Sequence, residues 1–510
     1  VRLAFALLAL TLTPLPPAHA GQLDHREIWQ PLPHPSLPAR DKTLTDLGPP
    51  SAPVPTDGAP IILVTVDTWR ADRLGLYGSP RPTSPFLEEL ATSSVVFERA
   101  SSPSPWTWPS VVSLATGLHP RAHGAIRKDA PLCPDVQTLA EVFYDAGYRT
   151  GFAGVNQYFE PEDAGYRQGF EYFWSSGFDS SDVTLDYARH FLEGLKGEPF
   201  FLHVHLFDPH CPYDPSPESL AAVQTVPYGR SGEPASADPG PMTFDVSLKN
   251  SCHMVPPPPA DLQEDELRAR WTPSEVLQDY YDHYDGELLQ TDVALRELRE
   301  LLAERDLWDD AWVVITGDHG EEFQEHGELG HGMNLYAETN HVPLLIRPPG
   351  GVDGGRRIEQ AVSLVDVPRT LVAGRGLTVP SNWQGRDLGP AVRGAPLASV
   401  PVLSETMYDP SNWAAMIEYG DRRLVVSGQP AMGELYAVGD YDRTDLFQSG
   451  DFHEAMRGAS LGAVLRKELL DASAGKVCDV GAMDLDPAHW EMLRKLGYVE
   501  SDEVPLPEPE

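Results

Sequence analysis

Two apolar runs in this sequence end in residues able to bind a divalent cation. IILVTVDTW (61–69) closes on Asp67, and AWVVITGDHGE (311–321) closes on Asp318 and His319. Two carboxylates and an imidazole brought to one point form a hard-to-borderline cation site. A single aspartate after a strand is commonly a turn or cap residue, but the stretch GDHGEEFQEHGELGHG adds His326 and His331 close behind the pair. Packing does not account for such a density of His, Glu and Gly, and the glycines allow a tight loop whose ligands turn toward one centre. An oxygen-rich set suits Ca²⁺ or Mg²⁺, the histidines bring in Mn²⁺ or Zn²⁺, and the residues are compatible with one ion or two.

A nucleophile candidate lies in SPWTWPSVVSLATGLHPRAHG (104–124). Thr107 precedes Pro109, a residue favoured in the first turn of a helix, and VVSLAT continues at helical spacing to Gly117. A hydroxyl at a helix N-terminus sits where backbone N–H groups and the dipole favour anions. There it could attack a phosphoryl or sulfuryl group while a nearby cation lowers its pKa. Simple capping by Thr107 or Ser110 is the ordinary alternative. A third segment, FDPHCPYDP (207–215), places Asp208, a candidate substrate contact, and His210 just past a strand. His210 could protonate a leaving oxygen or hydrogen-bond the bound group. His123 and Arg127 follow the Thr107 helix, and their donor groups suit an anionic substrate.

These groups need a scaffold that delivers strand ends to one edge. The runs 61–69, 200–210, 311–321 and 341–350 read as buried parallel strands. Helical patterns over 84–94, 138–147 and about 274–305 alternate with them, which predicts an α/β sheet covered on both faces. Ligands bind such sheets at the carboxyl ends of their strands. The span 212–270 reads as an irregular excursion, and the short runs 413–420, 422–428 and 433–439 predict a small antiparallel sheet. The expected organisation is a leader over 1–20, an arm or linker over 21–59 and a catalytic domain over 60–389. A C-terminal subdomain over 390–500 and a disordered tail over 501–510 complete it.

VRLAFALLALTLTPLPPAHA has a basic residue, a short apolar run and an Ala18-His19-Ala20 ending, the layout of a cleaved signal peptide. The run is too short to span a bilayer, which takes about 20 residues, and no later stretch is longer. The expected location is therefore periplasmic or secreted, without a transmembrane anchor. An oxidising compartment would allow Cys133, Cys211, Cys252 and Cys478 to form disulfides. Cys211 and Cys252 bracket a proline-rich segment and make the favoured pair. The 38 basic and 76 acidic side chains leave a formal charge of −38, which excludes a nucleic-acid-binding surface but not a small anion drawn to a bound cation. With 50 Pro and 43 Gly in 510 residues, the chain stays below the roughly 25–30% that marks low complexity.

Taken together, the motifs resemble the sulfatase family of the alkaline phosphatase superfamily. VTVDTWRADRLGLYG, TWPSVVSLATGLHP, FLHVHLFDPHCPYDP, YDGELLQTD, VVITGDHGEEFQEHG, LYAETNHVPLLIRPPG and SLVDVPRTL follow in the family's order. GELYAVGDYDRTDL and LDPAHWEMLRKLGYVE are similar to its C-terminal subdomain and tail. The resemblance spans about residues 60–500. It implies a three-layer α/β/α sandwich with a mixed, mostly parallel sheet, and metal-assisted hydrolysis of sulfate or phosphate esters. It matches Asp67, Asp318 and His319 to metal ligands, Thr107 to the nucleophile and a further ligand, and His210 and His331 to pocket residues.

Three departures from the family pattern bear on mechanism. Thr107, Pro109 and Val111 stand where formylglycine sulfatases have C-x-P-x-R or S-x-P-x-R, so threonine replaces the formylglycine precursor and the arginine is missing. Thr68 replaces the second aspartate of the usual pair. A threonine ester cannot be released by the elimination open to an aldehyde hydrate, so turnover needs a second attack at phosphorus or sulfur. The expected activity is an exported ester hydrolase acting on a sulfated or phosphorylated glycan, lipid or metabolite, with phosphoesters or phosphodiesters favoured. The alternatives are transfer of a phospho-alcohol group to a glycan or lipid, and a non-catalytic binding protein on the same fold.

Overall fold

The computed structural model describes residues 58–161, 164–226, 273–408, 413–427, 432–440, 442–474 and 477. The leader, the arm before residue 58, most of the 212–270 excursion, Cys252, Cys478 and the expected tail lie outside them. Strand β1 (Ile61–Val66) is buried at every position. Ile62, Val64 and Val66 enter one apolar core, and Ile61 and Leu63 enter another. A strand buried on both faces has no polar alternation, which is why its sequence reads as one apolar run.

β1 pairs in parallel with β5 (Phe200–Leu206) on one side and β6 (Trp312–Gly317) on the other. Val66 lies opposite both Leu206 and Gly317, so the chains leave these strands at one level of one edge. The Asp67 N–H donates to the Leu206 carbonyl at 3.0 Å, and the Asp318 N–H donates to the Val66 carbonyl at 3.1 Å. Beyond β5 come β3 (Arg149–Val155) and β4 (Tyr172–Ser176), both parallel to their neighbours. Beyond β6 come β9 (His341–Arg347), β2 (Val95–Ser101) and β10 (Arg356–Ile358). β9, expected from its apolar run to be parallel, runs antiparallel to β6 and β2; a short strand, β11 (Val362–Ser363), extends along β2, and the two-residue strands β7 (Glu322–Phe323) and β8 (Leu329–Gly330) pair with each other in the loop after β6. The sheet is therefore mixed and mostly parallel.

The helices Pro85–Ala91, Ser181–Gly194 and Pro273–Ala303 cover one face, and Leu139–Asp145 with Asp366–Gly374 cover the other. Leu139–Asp145 starts at a capping box in which the Thr138 hydroxyl accepts from the Glu141 N–H and Glu141 accepts from the Thr138 N–H. The helix Thr107–Thr116 sends Val111 and Val112 into one core and Leu114 into the other, as a helix lying across the end of the sheet must. Three layers and a mostly parallel sheet are what the sequence implied.

A second sheet, β12 (Val402–Thr406), β13 (Ala414–Tyr419), β14 (Arg422–Ser427) and β15 (Met432–Ala437), is antiparallel throughout. Leu461 and Leu465 of the helix Phe452–Ala474 pack on it. Three of these strands follow the expected runs, and β12 is an addition. Among the described residues no helix is long and apolar enough to cross a membrane. Cys133 and Cys211 are both disulfide-bonded.

Strands β2, β3 and β4 are also additions. The β3 sequence RTGFAGV carries two glycines, which weaken a strand pattern unless another group approaches closely. Here it does: a Cβ at Gly151 would lie 2.6 Å from the Phe191 ring, and one at Gly154 would lie 2.5 Å from the Phe152 ring and 2.8 Å from the Cβ of His205. Gly154→Ala should therefore push β3 from β5 and destabilise the protein by about 1–3 kcal/mol. Equilibrium urea unfolding measures this, and an unchanged midpoint would show that the strands are not so tightly apposed.

Candidate metal and nucleophile site

The edge where β1 and β6 end is closed to solvent, with Asp67, Asp318 and His319 fully buried. One ligand atom from each lies within 4.8 Å of the other two. His319 Nε2 stands 3.3 Å from Asp67 Oδ1 and 3.7 Å from Asp318 Oδ2, while its Nδ1 donates to the Gly320 carbonyl at 2.9 Å. That bond leaves Nε2 as the nitrogen turned to the carboxylates. Asp67 Oδ1 and Asp318 Oδ2 have no hydrogen-bond partner. Buried, unpartnered carboxylate oxygens are costly, and their convergence with an imidazole nitrogen fits a divalent cation.

Electrostatics agree with the geometry. Burial raises the Asp318 carboxyl to about 7, with the neighbouring Asp67 charge adding to the rise against the pull of His319. Burial opposes a charge on His319, but the two carboxylates outweigh it and push the ring up to about 9. Burial would also raise Asp67, yet His210, His205 and His319 hold it well below the usual carboxylate range. Protons on Asp318 and His319 thus do part of what a bound cation would do.

Thr107 opens the helix Thr107–Thr116, and its hydroxyl does not cap it. Thr107 Oγ1 is 3.2 Å from His319 Nε2 and accepts from Asn156 Nδ2 at 3.4 Å. Asn156 Nδ2 also donates to Asp67 Oδ2 at 2.9 Å, so one amide spans the nucleophile candidate and a carboxylate. Ser110, one turn further on, fixes the helix to β6 by donating to the Asp318 carbonyl at 2.6 Å. Thr68 adopts a left-handed backbone (φ 50°), its Oγ1 is buried without a partner, and its carbonyl accepts from Tyr284 Oη at 2.6 Å. A β-branched residue pays for that conformation in strain, and Tyr284 is the group that holds it.

His331 and His210 complete one wall. The His331 ring centroid is 4.4 Å from that of His319 and 5.2 Å from that of His210. His331 Nδ1 lies 2.9 Å from Glu321 Oε1. Despite its burial, Glu321 is drawn below the usual carboxylate range by the facing His331, and it also accepts from Tyr213 Oη at 3.3 Å. His210 Nδ1 donates to the Cys211 carbonyl at 2.7 Å, and burial lowers its pKa. A neutral His210 therefore carries its lone pair on Nε2.

Asp67, Thr107, Asp318, His319, His210 and His331 are thus gathered in one place. The other three expected substrate contacts have different partners. His123 is fully buried, held 3.0 Å from Ser113 Oγ, and burial drives its pKa down to about 3. Arg127 pairs with Asp129 at 3.1 Å on the surface. Asp208 Oδ2 accepts from the Ser181 N–H at 3.0 Å and the Ser181 hydroxyl at 2.7 Å, at the start of the helix Ser181–Gly194. Asn156, His205 and Glu321 were not singled out from sequence. Asn156 and His205 lie on or just after strands β3 and β5, so recognition of β3 would have placed Asn156 at the same edge as Asp67.

Glu322, His326 and Glu338 make a second close cluster, with bonds of a different kind. Glu322 accepts from the N–H groups of His326 and Glu328, both at 2.8 Å, and from the Asn334 amide. His326 pairs with Glu338 through Nδ1 and donates Nε2–H to the Asp442 carbonyl at 2.7 Å. With both nitrogens donating, the ring is cationic. Burial opposes that charge, but Glu338 outweighs it and raises His326 to about 9. The cluster ties the loop after β6 to the turn after β15.

Residues 60–374 match the family model described as Sulfatase. A multifunctional alkaline phosphatase superfamily protein, PehA, of Trinickia caryophylli is 26% identical over 444 residues, covering 72% of this chain and 82% of its own length. An ulvan-active sulfatase of Formosa agariphila is 25% identical over 367 residues, covering 65% of each. Among solved structures, a complex of a protein with its substrate D-glucosamine-2-N,6-O-disulfate superposes with a TM-score of 0.68 at 19% identity, over 82% of this chain and 98% of that one. A phosphonate monoester hydrolase of Agrobacterium radiobacter superposes with a TM-score of 0.61 at 20% identity, over 82% of this chain and 95% of that one. At such identities the superpositions bear on the fold.

Two pH dependences follow from these groups. A cation must displace the protons on Asp318 and His319, so binding of Ca²⁺ or Mn²⁺ should release protons and weaken as pH falls through about 9, where His319 protonates, and more steeply through about 7, where Asp318 follows. Calorimetry in buffers of different ionisation enthalpy reads the proton count, and pH-independent binding without release would contradict the assigned ligands. His326, raised above its unfolded value near 6.5, contributes stability that is fully present below that value and lost as pH rises toward about 9. The stability gap between wild type and His326→Gln in urea should accordingly shrink between pH 6.5 and 9.

Proposed function

The chain belongs to the sulfatase family, and we propose that it is an exported, divalent-cation-dependent hydrolase that uses Thr107 to cleave phosphoesters in preference to sulfate esters. The observation that carries this reading is the placement of Thr107 Oγ1 beside His319 Nε2 and the Asp67–Asp318 pair, all with buried side chains. Export is supported by the leader-like first twenty residues and by the disulfide bonding of Cys133 and Cys211.

Asp67, Asp318, His319 and Thr107 would hold the cation. When bound it would lower the pKa of the Thr107 hydroxyl and offset the charge of the ester. Two carboxylates against one imidazole make the donor set oxygen-rich and favour Ca²⁺ or Mn²⁺. Thr107 Oγ1, its proton released to water once the hydroxyl is acidified, then attacks the phosphorus as the bond to the leaving oxygen breaks. His331, oriented through Nδ1 by Glu321, is positioned to deliver a proton from Nε2 to the departing oxygen. The Asn156 amide donates toward Thr107 and Asp67 and fixes their separation. In the second half-reaction a water oxygen attacks the phosphorus and Thr107 Oγ1 leaves, with His331 or His210 accepting the water's proton.

Threonine at the nucleophile position is what favours phosphorus. A threonine phosphoester can be released by attack at phosphorus, whereas no aldehyde hydrate is available to expel sulfate by elimination. The two kinds of relative bracket this choice: one solved neighbour is named a phosphonate monoester hydrolase and a curated relative is named an ulvan-active sulfatase.

An aryl phosphate, an aryl phosphodiester, an aryl phosphonate monoester and an aryl sulfate, each assayed with Ca²⁺, Mn²⁺ and Zn²⁺, give the test. The phosphorus esters should turn over fastest, and Thr107→Ala should lower kcat/KM by about 10³-fold or more. Wild-type rates in Thr107→Ala on every substrate would remove Thr107 from the mechanism, and a preference for aryl sulfate would reverse the assigned specificity.

A further inference from the structure

Behind Asp67, away from Thr107, four buried polar side chains form a line that the reaction as described leaves unused. Thr65 lies two residues before Asp67 on β1, and the register with β5 sets Thr65 opposite His205 and Leu63 opposite His203. Thr65, His203, His205 and Tyr166 are all at most 2% exposed. Tyr166 Oη is 3.3 Å from His203 Nδ1, His203 Nε2 is 2.9 Å from Thr65 Oγ1, and Thr65 Oγ1 is 2.7 Å from His205 Nδ1. His205 Nε2 then stands 3.5 Å from Asp67 Oδ2, with no other partner.

With one ring hydrogen on each imidazole, the line has two arrangements. Thr65 has one hydroxyl hydrogen and sits between two imidazole nitrogens, so it donates to one ring and accepts from the other. In the first arrangement Tyr166 donates to His203, His203 donates Nε2–H to Thr65, Thr65 donates to His205 Nδ1, and His205 presents Nε2–H to Asp67. In the second every bond is reversed, the lone pair of His205 Nε2 faces an ionised carboxylate, and the Tyr166 hydrogen loses its acceptor. Burial holds His203 neutral, well below its ordinary range, so it has a single ring hydrogen and cannot satisfy both directions at once. The first arrangement opposes no pair of groups and turns the His205 Nε2–H toward the Asp67 charge, whereas the second leaves two groups opposed or unsatisfied.

We propose that Tyr166, His203 and Thr65 are positioning residues that fix the tautomer of His205, so that His205 and Asn156 together hold Asp67 Oδ2 and leave Oδ1 turned toward the cation. Oδ2 takes the Asn156 amide at 2.9 Å, whereas Oδ1 has no hydrogen-bond partner. Partners of this kind orient a ligating group and tune its affinity, and their loss typically costs about 10–100-fold in metal binding. The effect on cation affinity rests on the reading that Asp67 holds the ion, but the direction of the hydrogen bonds does not.

Nitrogen-15 histidine NMR on the metal-free protein, with resonances assigned by His203→Gln and His205→Gln, reads that direction in the wild type. Both rings should be Nε2–H tautomers, and an Nδ1–H tautomer or a doubly protonated ring at His205 would overturn the relay. Thr65→Val keeps the shape of the side chain and removes its hydroxyl. Titrated with Mn²⁺ by calorimetry, it should bind about 10–100-fold more weakly than wild type, with Thr65→Ser restoring affinity. Equal affinity in Thr65→Val would overturn the positioning role. If wild type binds neither Ca²⁺ nor Mn²⁺, the cation site itself fails, and the NMR result still decides the relay whether or not Thr65→Val folds.

Discussion

Two carboxylates that end neighbouring parallel strands are forced together where water cannot reach them. Asp67 and Asp318 arrive at the same level because Val66 is in register with Gly317, and the helix Thr107–Thr116 closes over them. Two like charges in such a place repel strongly, so the folded chain must supply positive charge, protons or a cation. The raised pKa values of Asp318 and His319 and the unpartnered oxygens Oδ1 of Asp67 and Oδ2 of Asp318 are expressions of that one constraint. Thr107 stands against the same group, its Oγ1 3.2 Å from His319 Nε2.

Much of the surrounding structure keeps those strand ends in place. Arg70 pairs with Asp72 and Glu325 at 2.8 Å and donates to the Glu321 carbonyl at 2.9 Å, so the turn after β1 and the loop after β6 share one guanidinium. Arg73 and Arg81 converge on Asp285 of the long helix Pro273–Ala303. Buried ion pairs contribute little net stability once desolvation is counted, whereas breaking one is costly. Their value here is positional, because they fix loops that carry a ligand or its neighbour. The bond from the Thr406 hydroxyl to the Gly332 carbonyl at 2.7 Å and that from His326 to the Asp442 carbonyl bind the small sheet to the loop after β6. The C-terminal sheet therefore helps to hold the loop after β6, although Asp67, Asp318 and His319 all lie at the main sheet's strand ends.

The layers, four central strands and the identity of the cation and nucleophile candidates are legible in the order of the amino acids. Apolar runs ending in Asp or His are legible because a strand buried on both faces leaves no doubt about where its polar end emerges. Tertiary structure decided the rest. β3 was hidden by glycines whose reason is contact with Phe191 and His205, groups distant in the chain, and Asn156 was hidden with it. Thr65, His203 and His205 look like interruptions in apolar strands until the register of β1 and β5 sets them in one line. Asp208, His123 and Arg127 show the opposite case: each is a fair functional candidate by type and position, and each is bound to a local partner, Ser181, Ser113 or Asp129. Spacing along a chain states which residue reaches an edge. Which neighbour it meets there depends on the pairing of strands far apart in sequence, and only the folded chain sets that pairing.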